Sequence, residues 1–449
     1  MKSPPSPPAH WLWGHTKMMF KDPMEFPVYT ALHYKPVCQL NVAGMKMYIT
    51  ANIECVKQIF VNQTENFVKG PAFKTLSLLG GNGLLNSEGD FWKRQRRLAQ
   101  PAFHKEKLKG FLHTFIECSK DFALKWKKYN EQDIYKISFE MGELTLKITG
   151  KTLFSIDLSK EATSIPPDVK ESLLFLNKRI YSVPRYPIGW PLPSHKRFFQ
   201  NKKRLDEVVY KIIDEHMKET IPAEDLLQTF LDATDLDTGE KMSREHLRDE
   251  VITLFLAGFE TTSIGLTWVW YMLSQHDHVR KKFIEELDRI IGKSEVKPEH
   301  IMQLTYTRAL VDETLRLYPP AYYVTRQLVK DTDMHGYHLK KGCIILTSIL
   351  GLHKNPDYWQ NPDQFDPERF TVKNQPNIIK GSYMPFGTGQ RLCIGNQFAL
   401  MEMVSVLAVL GRQFFLRPAS GYIPQMIPSI TTNISEGMPM HISSINEIA

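Results

Sequence analysis

Phe386-Gly387-Thr388-Gly389-Gln390-Arg391-Leu392-Cys393-Ile394-Gly395 is a loop of small residues that opens directly into an apolar helical pattern. Apolar side chains at Ile394, Phe398, Met401, Val404 and Leu407 recur in steps of three and four, which describe one face of an α-helix. Cys393 therefore sits at a helix N-terminus, where unpaired N–H groups and the positive dipole end favour an anionic sulfur. Gly389 and Gly395 let the backbone come close to a flat ligand. In isolation a free cysteine is usually a buried structural residue, so the weight lies on its setting, which suits a metal-binding thiolate.

That setting, with Phe386, Gly389, Arg391, Cys393 and Gly395 at their particular spacing, resembles the haem-binding loop of cytochrome P450 monooxygenases. The resemblance runs from about Pro4 to the C-terminus. It implies a mainly α fold with a minor β part, a triangular helical domain with the haem between a long central helix and the helix after Cys393. It also implies haem b with Cys393 as axial thiolate, and a loop in which Phe386, Gly387, Arg391 and Gly395 serve the cofactor.

Composition agrees with a large globular core. The 449 residues contain 42% hydrophobic and 23% charged side chains, with no low-complexity tract, linker or internal repeat, so a single domain over 1–449 is expected. The five cysteines, Cys38, Cys55, Cys118, Cys343 and Cys393, are scattered, odd in number and without a C-x-x-C pair, which argues against zinc and a disulfide framework. The net charge of +7 is interspersed with acidic residues, so nucleic acid is not expected as a partner. The cluster Lys93, Arg94, Arg96, Arg97, Lys105, Lys107 and Lys109 instead suits an acidic electron donor. Met1-Lys2-Ser3-Pro4-Pro5 contains neither a signal-peptide core nor a transmembrane run, which reads as a cytoplasmic, monomeric enzyme. The same opening resembles the proline-rich hinge after the membrane anchor of microsomal P450s, for which the face of the endoplasmic reticulum is the alternative.

Along the chain, Val37, Gln39, Leu40, Val42, Met45, Met47 and Ile49 flank Ala43-Gly44 as a β-hairpin does, giving a β-rich part over about 1–60. Helical periodicity dominates from about residue 90. Residues 182–195 carry four prolines and form a loop; by resemblance it joins two lid helices and offers Tyr186, Ile188, Trp190 and Leu192 as an apolar lip. The loop and helix around Cys393 span about 384–412.

Ser243 is a suitable N-cap for an uninterrupted helix through about residue 275. Its centre, Ala257-Gly258-Phe259-Glu260-Thr261-Thr262, combines a helix-weakening glycine with a glutamate in an otherwise apolar run. Read alone, this is a glycine for close packing beside a solvated glutamate. By resemblance it is the oxygen-activation groove, with Thr261 hydrogen-bonding dioxygen and Glu260 relaying protons. Ala257 stands where some fatty-acid hydroxylases carry a glutamate esterified to haem, so no covalent haem ester is expected.

Glu313 and Arg316 are three apart and share a helical face. The resemblance makes them a buried pair that meets Arg369 of the Pro367-Glu368-Arg369-Phe370 meander and supports the fold. Trp92 and Arg96 are four apart on one face, and the family pattern assigns both to a haem propionate, together with Arg326, His353 and Arg391. Substrate contacts are implied at Phe73, Leu76, Leu78, Leu79, Leu254, Ala257, Ala321, Tyr322, Tyr323, Val324, Ile430 and Thr431, mostly apolar positions that suit a small hydrophobic substrate. Lys46 and Tyr48 offer a weak carboxylate anchor.

These expectations amount to a monooxygenase that hydroxylates a C–H bond or epoxidises a C=C bond with dioxygen, fatty acid favoured weakly over terpene or sterol. No flavin or iron–sulfur domain fits in the sequence, so a ferredoxin or flavodoxin with its reductase is the expected donor. The alternatives are a peroxide-using hydroxylase, which generally dispenses with the acid–alcohol pair, and a non-enzymatic haem sensor or carrier.

Overall fold

Ser243 accepts the backbone N–H of His246 through its hydroxyl and starts the central helix Arg244–Gln275, around which the rest of the chain is built. The computed structural model describes residues 2–158, 165–182, 186–218, 225–234, 239 and 241–445. The central helix is long and apolar enough to cross a bilayer, but most of it is buried inside the protein, as the core helix of a globular fold is. Its glycines mark close crossings. A Cβ on Gly258 would lie 3.1 Å from Thr149 of the helix Ile137–Leu153, and one on Gly265 would lie 3.0 Å from the Met403 sulfur. Thr145 donates to the Phe259 carbonyl at 2.9 Å and locks the first crossing. The glycine in the centre of the helix therefore serves packing.

The helix Asn396–Leu410 is buried on nearly every side, not along one stripe, because it lies between the central helix and Lys105–Trp126. Phe398 at its start sits in a T-shaped cluster with Phe103, Phe111 and Phe115.

The hairpin is present as β1 (Cys38–Val42) and β2 (Met45–Thr50), with Cys38 opposite Ile49 and Val42 opposite Met45. Ala43 and Gly44 both have positive φ, 52° and 78°, as a two-residue hairpin turn that follows strand twist requires. The hairpin is one edge of a five-stranded sheet completed by β3 (Phe67–Val68), β4 (Tyr323–Leu328) and β5 (Ile344–Ser348), in the order β1-β2-β5-β4-β3. Only β2 and β5 run parallel. The first sixty residues are less β-rich than expected. Helices Thr16–Lys21 and Glu25–His33 precede the hairpin, and the second seals one end of the sheet by packing Met24 and Val28 against Tyr322 and Leu350.

In the proline-rich segment, residues 183–185 lie outside the described residues. The remainder is irregular until Pro193, which occupies the first turn of the helix Pro193–His216, so the loop ends before 195. Tyr186 and Trp190 stack on each other at 5.6 Å and remain half exposed.

Candidate active site

The cysteine loop is held by its own backbone. Gly387 N–H donates to the Met384 carbonyl at 3.0 Å, Leu392 N–H to Gly389 at 3.1 Å, and Cys393 N–H to Phe386 at 2.9 Å. Gly389 has φ 68°, and a Cβ there would strike the Phe60 carbonyl, so glycine is required on both counts. The following helix begins at Asn396 with Gly395 as its N-cap, which sets Cys393 two residues ahead of the cap and not in the first turn. The sulfur is nevertheless stabilised as expected, by the Gly395 N–H and the nearby Arg96 charge, while burial, the larger influence, pushes its pKa up. Cys393 is also solvent-accessible. The thiol is therefore not closed off by the packing of the loop around it.

The central helix is accessible at the expected residues. Ala257 is exposed and Glu260 and Thr261 are partly accessible, although the turns on either side are buried. Thr261 Oγ1 donates to the Ala257 carbonyl at 2.8 Å, leaving its oxygen free to accept. Glu260 does not bond Thr261. Its carboxylate accepts the Thr431 hydroxyl at 2.9 Å, and burial pushes its pKa up to about 7, with Thr431 opposing the shift.

Arg391 lies 3.5 Å from the Trp92 ring centroid, donates to the Ser87 carbonyl at 3.2 Å and pairs with Glu88 at 2.7 Å. Arg326 is buried, stacks on Phe60 at 4.9 Å and is pushed down to about 10 by burial and by Arg391. Lys69 joins them, a residue that sequence reasoning missed because nothing in its local pattern distinguishes it. Its ammonium donates to Ser87 at 2.6 Å, and burial and Arg391 push it down to about 7. Glu88 is the carboxylate these three cations share, and Glu250 reaches only Lys69. The excess of partly buried positive charge suits an anionic group. Arg96 instead donates to the Leu392 carbonyl at 2.9 Å, beside the sulfur.

His353 does not join this cluster. It is fully buried, its Nδ1 bonds the Arg316 carbonyl at 2.9 Å and its Nε2 accepts the Met384 N–H at 3.0 Å, so neither nitrogen is left for a propionate. The imidazole is a brace between the Glu313–Arg316 helix and the start of the cysteine loop. Arg316 forms a bidentate pair with Glu313 at 2.7 and 2.8 Å and donates to the carbonyls of His353, Pro362 and Gln364. Arg369 Nε lies 3.5 Å from the same carboxylate.

Hydrogen bonds draw the pocket segments around the central helix. Thr431 meets Glu260, Thr432 N–H donates to the Pro320 carbonyl at 2.8 Å, and the Leu79 and Gly80 carbonyls accept from Arg248 and Thr253. Phe73, Leu76, Leu78, Ala321, Tyr323, Val324, Ile430 and Thr431 keep partial accessibility. Three expected contacts do not. Leu79 and Leu254 are buried in the main core, and Tyr322 points away into the Met24–Val28 cluster with its hydroxyl on the Ser429 carbonyl. Tyr48 is buried and accepts the Lys340 N–H at 3.2 Å, so it is no carboxylate anchor.

Comparison with known proteins bears on this geometry directly: the cytochrome P450 family model matches residues 4–438. The chain belongs to the cytochrome P450 family. This P450 is 31% identical to cyclooctatin synthase of Streptomyces melanosporofaciens over 91% of this chain and 89% of that one. It is 29% identical to cytochrome P450 4A10 of Mus musculus, over 98% and 90%. Its fold superposes on the crystal structure of the cytochrome P450DA heme domain with TM-score 0.90 at 26% identity, covering 99% and 98% of the two chains. The P450 is thus a monooxygenase that uses a haem with a cysteine thiolate ligand. The residues fit that group: an accessible interior thiol at Cys393, a loop that glycine keeps open, and the cations Lys69, Arg326 and Arg391 in excess of their carboxylates.

Proposed function

We propose that this P450 inserts one oxygen atom into a C–H bond of a bulky, neutral hydrocarbon substrate of terpenoid type, ahead of fatty acids. The observation that carries this reading is the makeup of the accessible positions around Thr261. Phe73, Leu76, Leu78, Ala257, Ala321, Val324 and Ile430 are apolar and at least partly accessible, and Tyr48 is buried with its hydroxyl accepting the Lys340 N–H. Hydrophobic contact then does the binding, and fit to the cavity selects the carbon. The names of two Streptomyces relatives, cyclooctatin synthase and cyclooctat-9-en-7-ol 5-monooxygenase, point the same way.

Haem b, held by Cys393, supplies the activation of dioxygen when bound. The protein supplies protons and position. Thr261 has an oxygen free to accept in the accessible groove, and Glu260, with a pKa about 7, takes and releases a proton near neutral pH through its contact with Thr431. Electrons arrive from a separate acidic donor, which suits the open cleft lined by Trp92, Lys93, Arg96, Arg97, His104 and Gln390.

The test is the reduced, carbon-monoxide-bound spectrum of the holoprotein, followed by titration of the ferric form with a neutral diterpene alcohol and with dodecanoic acid. A strongly red-shifted Soret band and a spin-state change with the diterpene are expected. A response to dodecanoic acid alone overturns the substrate class; an unshifted Soret band overturns thiolate ligation.

A further inference from the structure

Arg248, on the N-terminal part of the central helix, is buried and ties that helix to two others, Pro71–Gly80 and Pro193–His216. The side chain is 5% exposed. Its Nε donates to Asp206 of the helix Pro193–His216 at 2.9 Å and its Nη2 pairs with the same carboxylate. The Nη2 also donates to the Leu79 carbonyl at 2.9 Å, near the end of the helix Pro71–Gly80, and Nη1 donates to Asp249 at 2.8 Å.

The next residues extend the same grip. Asp249 accepts the Asn82 N–H at 2.7 Å, Glu250 accepts the Leu84 N–H at 3.0 Å, and Thr253 donates to the Gly80 carbonyl at 3.3 Å. Gly81 has φ 56°, and a Cβ there would run into the Asp249 carboxylate; one on Gly83 would strike the Asp249 carbonyl and Thr253 hydroxyl. The segment Leu79–Leu84 is therefore pressed onto the central helix. Farther on, Ser87 and Glu88 hold Lys69 and Arg391.

The helix Pro71–Gly80 has few ways to satisfy its last carbonyls. Two of these, Leu79 and Gly80, are taken by the central helix. The helix Pro193–His216 follows the exposed Tyr186–Trp190 lip and is tied to the same guanidinium through Asp206. One planar cation with a fixed fork thus spans both covers, which a lysine, as a point charge, cannot reproduce.

We propose that Arg248 is the latch that holds the two covers of the cavity, Pro71–Gly80 and Pro193–His216, closed against the central helix, with Asp206 as its release point. It is a positioning residue that governs ligand entry and exit. The inference rests on the proposed cavity for what the two helices cover, and on the hydrogen bonds of Arg248 for the tie between them.

The test compares wild-type holoprotein with Asp206→Asn and Arg248→Lys in two measurements. Amide exchange without ligand is expected to accelerate in both Leu79–Leu84 and Pro193–His216, including the Asn82 and Leu84 amides. Stopped-flow binding of clotrimazole, a bulky imidazole that ligates haem iron whatever the native substrate, is expected to speed roughly ten-fold, the order that a charge-assisted hydrogen bond contributes. Exchange and on-rate both within about two-fold of wild type overturn the latch, and so does acceleration confined to one cover; the two-fold bound is the ordinary spread of such effects. If Arg248→Lys fails to fold, Asp206→Asn decides, since Asp206 is the more exposed partner and Arg248 keeps Asp249. A protein that binds no clotrimazole refutes the haem-cavity reading, while the exchange data still judge the latch.

Discussion

Glu260 accepts a hydrogen bond from Thr431, 171 residues away, and not from Thr261 beside it. The proposed proton relay is therefore tied to the C-terminal loop. Burial raises the Glu260 carboxyl from 4.5 to about 7, so between those values the folded protein keeps a proton that the unfolded chain releases. Stability accordingly falls as pH rises through that window. Denaturant midpoints measured from pH 4.5 to 7 should decline more steeply in wild type than in Glu260→Gln. Thr431→Val removes the interaction that lowers the pKa, so the acid limb of coupled product formation should move to higher pH. An unmoved limb would show that Glu260 does not carry the proton.

Thr261 is separable from this effect, because its hydroxyl donates to Ala257 and presents its oxygen to the accessible groove. Thr261→Ala should leave the thiolate spectrum intact, raise peroxide release, and cut product per reducing equivalent on the order of 100-fold, the low end of what positioned proton transfer contributes. Product yield unchanged from wild type, with dioxygen and donor supplied, would favour peroxide-driven or non-enzymatic chemistry.

The parts of the site legible in the sequence are those in which one short segment contains the whole device. The loop before Cys393 needs its glycines for backbone conformation and approach, and the helix from Ser243 displays both its cap and its interruption at Gly258. The residues that misled depend on partners far along the chain. His353 ends the short helix Ile349–His353 and bonds Arg316 and Met384, 37 and 31 residues distant. Tyr322 lies just ahead of β4, and the packing of Glu25–His33 on the sheet decides which way it points. Arg248 looks like an ordinary surface cation until tertiary contacts bury it, and Lys69 until its ammonium meets the Ser87 carbonyl.

The brace role of His353 has a pH signature. Burial drives its imidazole down from 6.5 to about 3, so between these values the unfolded chain binds a proton that the folded protein does not. The folded state therefore loses stability as pH falls from 6.5 toward 3. His353→Gln, which retains a donor and an acceptor but does not titrate, should be less stable than wild type at pH 7 and lose less on acidification. Its haem content should survive if the imidazole binds no propionate. Parallel pH profiles for the two proteins would contradict the assignment.

Glu313 and Arg316 are both fully buried, and the guanidinium divides its donors between that carboxylate and three backbone carbonyls of the segment leading to the meander. Glu313→Ala strands the cation: Arg316 keeps its carbonyl partners but loses both charge-assisted bonds, and Arg369 loses its nearest carboxylate. The expected cost is about 3–5 kcal/mol, as for a buried pair broken on one side. Arg316→Met removes the charge but leaves Glu313 facing only Arg369 and the Asp366 N–H, so it too should destabilise. The double variant Glu313→Ala/Arg316→Met should recover part of the single-variant loss, since neither charge is left buried without its partner. Chemical denaturation of the four proteins forms a complete cycle, and strictly additive losses would mean that the pair is not coupled and that each residue acts only through its backbone contacts.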